Sequence, residues 1–90
     1  GPISAVLFVG QDTLVAACGR SILLFSVSQR KLIHKEDSCL PPSLKINSLE
    51  TVSESRFLIV SDRTFAVYDL YQESPNDNAK RLQLAYYHGS

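Results

Sequence analysis

Ninety residues with 44% hydrophobic content are enough for a folded chain and too apolar for a disordered one. Nine basic and nine acidic side chains cancel to a formal net charge of zero, which removes any global field toward nucleic acid or an anionic membrane and confines such a role to a local patch. Cys18 in an apolar run and Cys39 beside Pro41-Pro42 are too few for a disulfide framework and point to a reduced, cytoplasmic setting; no apolar run reaches the roughly 18 residues of a membrane span, and no secretory signal is visible.

Strand and turn signals alternate at short spacing along the chain. Ile3–Val9 predicts a strand, Gly10-Gln11-Asp12 a turn, Thr13–Cys18 a second strand, Gly19-Arg20 a tight turn and Ser21–Val27 a third strand. A turn at Ser28-Gln29 leads to a fourth strand, Arg30–Glu36, whose charged residues around Leu32 and Ile33 suit an outer edge. Asp37–Lys45, with Pro41-Pro42, cannot continue a ladder and predicts a crossover. The plan then recurs: strand Ile46–Val52, turn Ser53-Glu54-Ser55, strand Phe57–Ser61, tight turn Asp62-Arg63, strand Thr64–Leu70, and a last strand, Arg81–Tyr87, after a polar loop through Ser74-Pro75-Asn76-Asp77-Asn78. Leu14–Ala17 and Phe57–Val60 are continuously apolar, as strands covered on both faces are.

A shift of 43 positions lays Ile3–Val27 on Ile46–Leu70 without a gap: Ile3, Val6 and Val9 fall on Ile46, Leu49 and Val52, and Ile22, Leu24, Phe25 and Val27 on Phe65, Val67, Tyr68 and Leu70. Matching Lys31-Leu32 to Arg81-Leu82 gives an offset of 50 and predicts a seven-residue insertion before the last strand. A repeat of 40–45 residues built from short strands is the mark of a β-propeller blade. The predicted fold is therefore all-β: an antiparallel β-propeller fragment of two four-stranded WD-repeat-like blades, residues 1–45 with the crossover and 46–90 with the insertion. Propellers close with about four to eight blades, so two blades require further blades or self-association to cover their faces.

The residues that carry a family likeness are Gly1-Pro2-Ile3-Ser4-Ala5-Val6, which resembles the opening of a WD-repeat inner strand, and Ser61-Asp62-Arg63-Thr64-Phe65-Ala66-Val67-Tyr68-Asp69-Leu70, which resembles its close. Tyr68-Asp69 stands in place of the Trp-Asp pair and Asp62 at the family's turn aspartate, while the first unit departs from the pattern, with Gly19 and Phe25-Ser26 at those positions. With Leu14-Val15-Ala16-Ala17-Cys18-Gly19 and the ending His88-Gly89-Ser90, the chain looks like the amino terminus of the large WD-repeat subunit that assists the tRNA anticodon-loop 2′-O-ribose methyltransferase. That resemblance implies a non-catalytic scaffold that binds a methyltransferase catalytic subunit and reaches tRNA through the complex. Lys45-Ile46-Asn47-Ser48-Leu49 through Val67-Tyr68-Asp69-Leu70 also looks like the citron-homology propeller of vesicle-tethering and small-GTPase-regulating proteins, which is the alternative.

Short acidic side chains accept backbone N–H bonds at turns, and Asp62 and Asp69 are read in that role, with a partner-facing role open to Asp69 as well. His34 and His88 lie in no ligand-spaced cluster with Cys18 or Cys39, so no metal site is expected; His34 reads as an exposed edge residue. No phosphate-loop, dinucleotide or nucleophile-elbow string occurs, so neither cofactor nor catalytic residues are expected. Arg20 and Arg63 occupy equivalent tight turns on the end that carries the crossover, and with Lys45, Pro41 and Pro42 they are the expected partner-binding surface, because arginine forks onto carboxylates and phosphates and is enriched at interfaces.

Overall fold

The computed structural model describes residues 2–37, 45–72 and 80–89; Pro41 and Pro42 lie outside them. Eight strands follow in chain order: β1 (Ile3–Val9), β2 (Thr13–Cys18), β3 (Ser21–Ser26), β4 (Lys31–Glu36), β5 (Ser48–Ser53), β6 (Arg56–Val60), β7 (Phe65–Gln72) and β8 (Lys80–His88). They pair as two four-stranded antiparallel meanders, β1 to β4 and β5 to β8. No helix occurs among the described residues, and the all-β expectation holds at this level.

The turns follow from a few backbone requirements. Gly10 and Gly19 sit at φ of 70° and 65°, the left-handed region that a side chain resists. A Cβ on Gly10 would also stand 3.2 Å from the carbonyl oxygen of Glu54, so this glycine lets two turns from different sheets approach closely. Arg30 has a φ of 55° although it is not glycine. It was expected to open the fourth strand; instead it closes the turn at 27–30 in the left-handed conformation needed there, and β4 starts at Lys31.

Register corrects the insertion. Leu24 pairs with His34 and Phe25 with Leu32, leaving Ile33 as an extra residue on β4. Val67 pairs with Tyr86 and Tyr68 with Leu84, leaving Ala85 extra on β8. The same bulge thus occurs at the same place in both sheets, and His34 corresponds to Tyr86, an offset of 52 in place of 50. The insertion is nine residues, and part of it lengthens the β7–β8 ladder through the pairs Leu70–Leu82, Tyr71–Arg81 and Gln72–Lys80. Arg81-Leu82 resembles Lys31-Leu32 in composition, yet sits in this added stretch.

Cross-strand rows show how the sheets pack. In the first sheet, Leu7, Val15, Leu24 and His34 form one row and Ala5, Ala17, Ile22 and Glu36 the next on the same face. In the second, Thr51, Phe57, Tyr68 and Leu84 form one row and Leu49, Ile59, Ala66 and Tyr87 the next. These two faces meet in a single apolar cluster, in which Val15, Ala17, Ile22, Leu24, Phe57, Ile59 and Ala66 are fully or almost fully excluded from solvent. β1 lies against β5 and β4 against β8, so the strands stack in the same order. Under the 43-residue repeat, however, Val15 corresponds to Leu58 and Leu14 to Phe57. Opposite faces of the repeat therefore meet, and the two units are stacked head to tail.

Candidate interaction surface

The tight turns at 19–20 and 62–63 lie at one end of the stack because residues 45–47 tie them together. The Ile46 amide donates to the Gly19 carbonyl at 3.2 Å, and the Asn47 amide donates to the Val60 carbonyl at 2.8 Å. Ser61 Oγ donates to the Lys45 carbonyl at 2.7 Å and Ser4 Oγ to the Ile46 carbonyl at 3.2 Å. The Asn47 side-chain amide donates to Asp62 Oδ1 at 2.6 Å. Asp62 was expected to hold its own turn by accepting backbone N–H bonds; it accepts instead from the incoming segment, because Asn47 lies beside the turn.

Of the expected partner-binding residues, Arg20 is half-buried and Lys45 and Arg63 are exposed at this end. Lys45 borders a cleft of about 500 Å³ with Pro2, Ser4, Cys18, Gly19, Ile46 and Asn47. Arg63 borders a shallower depression of about 380 Å³ with Leu58, Val60 and Phe65 from the uncovered face of the second sheet. Arg20 lies near Asp37, whose carboxyl is held below the usual carboxylate range first by the Ser21 hydroxyl, which donates to it at 2.7 Å, and less by Lys35 and Arg20.

The opposite end is held by two equivalent backbone bonds, Val27 N–H to the Asp12 carbonyl at 2.9 Å and Leu70 N–H to the Ser55 carbonyl at 2.7 Å. Their side chains differ. Asp12 accepts the Ser26 hydroxyl at 2.8 Å, the Ser28 amide at 2.6 Å and the Ser28 hydroxyl at 3.0 Å, and these bonds, that from Ser26 foremost, lower its pKa. In the second unit the acid stands on the third strand: Asp69 takes a two-pronged contact from Arg56, Nε at 2.6 Å and Nη2 at 3.1 Å, which lowers the carboxyl and raises the guanidinium. Asp69 thus pairs across the sheet where a turn-capping role was expected, since its cross-strand neighbour is Arg56. Asp12 went unnoticed as an organising residue; a short acid at a turn followed by serines at 26 and 28 was the available signal. A cleft of about 200 Å³ between Asp12, Glu54, Ser55 and Lys80 also opens here.

The histidines serve structural contacts. His34 was expected to be an exposed edge residue, but it is half-buried with Nε2 3.2 Å from Glu36 Oε1, because the Ile33 bulge turns it toward the second sheet. His88 stacks on Phe65 with ring centroids 5.2 Å apart. Among the described residues, no three of His, Cys, Asp and Glu converge to hold a metal ion, and no helix is long and apolar enough to cross a membrane. No family model and no curated protein matches the chain.

Proposed function

We propose that the chain is a pair of blades of a WD-repeat-like β-propeller and serves as a non-catalytic scaffold that binds protein partners. The observation that carries this reading is the head-to-tail stacking of two four-stranded meanders related by a 43-residue repeat, the arrangement by which blades follow one another around an axis. The interaction surface is the end where residues 45–47 join the two tight turns, which carry Arg20 and Arg63, with Lys45 on the joining segment. Guanidinium groups on equivalent turns suit a partner that offers carboxylates or phosphates. The likeness of Gly1–Val6, Leu14–Gly19 and the ending His88-Gly89-Ser90 to the large subunit of the tRNA 2′-O-ribose methyltransferase makes a methyltransferase catalytic subunit the partner of choice, with tRNA reached through the complex.

Titration of that catalytic subunit tests the reading. Arg63→Ala should weaken binding by about 1–3 kcal/mol where its bonds become desolvated, and Arg20→Ala/Arg63→Ala by more. His34→Ala, on the outer strand, should leave affinity unchanged. Equal affinity of the double variant and the parent chain rejects this end as the surface, and no binding by the parent rejects the methyltransferase partner.

A further inference from the structure

Each sheet leaves one apolar face uncovered, and the repeat states what each face fits. On the first sheet the uncovered row is Phe8, Leu14, Phe25 and Leu32, with Val6 beside it; Phe8 and Val6 are 57% and 58% exposed. The equivalent row of the second sheet, Thr51, Phe57, Tyr68 and Leu84, faces the interior contact, where Phe57 is completely buried. On the second sheet the uncovered row is Glu50, Leu58, Val67 and Tyr86, with Val60 and Phe65 beside it, and Tyr86 is 55% exposed. Its equivalent in the first sheet, Leu7, Val15, Leu24 and His34, is again the covered one.

The uncovered pair is therefore the same pair of faces that already pack together within the chain. From this continuity with the internal contact we infer that the uncovered face of the first sheet docks on the uncovered face of the second sheet in another copy of the chain. The inference rests on the propeller reading and gives it a geometry: copies join head to tail, each using one face of each kind. Such a contact is heterologous and extends until rotation closes a ring. Face-to-face pairing of two identical faces would match no contact present in the chain. Apolar patches of this kind, rimmed by polar residues, are where soluble chains associate.

Sedimentation velocity on the 90-residue chain across micromolar concentrations should show species of at least twice the chain mass. Phe8→Glu charges one face and Tyr86→Glu the other, both at exposed positions that fold without burying the charge. Each variant alone should be monomeric, and an equimolar mixture should form a one-to-one dimer through the two intact faces. Circular dichroism reports folding, and Phe8→Ser with Tyr86→Ser replace the glutamates if strand signal is lost. A monomeric parent chain, a single variant that assembles as the parent does, or a mixture that stays monomeric overturns the inference. A monomeric chain that still binds the methyltransferase subunit would overturn this docking and leave the scaffold reading standing; an assembling chain that binds no subunit would support this docking and reject the methyltransferase partner.

Discussion

The two units share a backbone and differ in the side chains that fasten it. Strand order, the bulge on the outer strand, and the amide-to-carbonyl bond from the end of the third strand back to the first turn recur in both. The fastenings do not recur: a turn aspartate gathers serine hydroxyls in one unit, and an arginine grips a strand aspartate in the other. The backbone bonds of a meander are needed whatever the sequence, whereas a turn end at the surface can be fastened by any donor and acceptor of suitable reach. Chemistry at the ends is therefore free to diverge while the frame is retained.

The sharpest way to break the comparison is at a pair of equivalent positions with opposite burial. Phe57 is fully enclosed, whereas its equivalent Leu14 is half-buried on an uncovered face. Phe57→Ala should cost about 3–5 kcal/mol, a large share of the stability of a domain this size. Leu14→Ala should cost less than about 2 kcal/mol when measured by urea unfolding at concentrations low enough to hold the chain monomeric. Comparable losses at the two sites would mean that the uncovered face is buried even in the monomer.

The two fastenings differ in their response to solvent. Asp12 and Asp69 both have carboxyl pKa values lowered in the folded state, so each contributes stability that is complete above the unfolded value near 3.8 and is lost as pH falls below it through the folded value. Asp12→Asn and Asp69→Asn should each lower the melting temperature at neutral pH and flatten the decline on acidification below about pH 4. Added salt should erode the contribution of Asp69, whose partner is charged, more than that of Asp12, whose donors are hydroxyls and an amide. Equal salt dependence in the two variants would contradict the assigned partners.

A smaller difference lies at the start of the third strand. The Ser21 hydroxyl donates to Asp37, but Thr64, its equivalent, buries a hydroxyl that meets no partner among the described residues, and glycine stands at 89, where the equivalent of Asp37 falls. Thr64→Val should be neutral or stabilising by up to about 1 kcal/mol in thermal unfolding, and Ser21→Ala should be mildly destabilising. A clear loss in Thr64→Val would show that the hydroxyl is hydrogen-bonded.

The frame was legible because its signals are local. Ile3–Val9 and Thr13–Cys18 match the observed strands residue for residue, since glycine turns bound them and alternation or apolar continuity marks their interiors. The outer strands were harder. A bulge adds one residue without a sequence mark, so Lys31-Leu32 aligned with Arg81-Leu82 by likeness of chemistry, and the insertion was read two residues short. Arg30 was placed in a strand because nothing in an arginine announces a left-handed turn. At the candidate surface, equivalence of the two turns located Arg20 and Arg63, but the bond between Asn47 and Asp62 joins residues whose proximity depends on the crossover, which strand periodicity does not encode.

The bulges on β4 and β8 carry a consequence for how the chain can grow. Both occur on the outermost strand of a sheet, where an unbroken row of amides and carbonyls would otherwise invite a foreign strand to zip on. An extra residue bends that row and increases its twist, so a straight strand meets only a short run of groups in phase. Sideways accretion, the route to fibrous aggregates, is thereby discouraged in both units. What remains open is addition along the stacking direction.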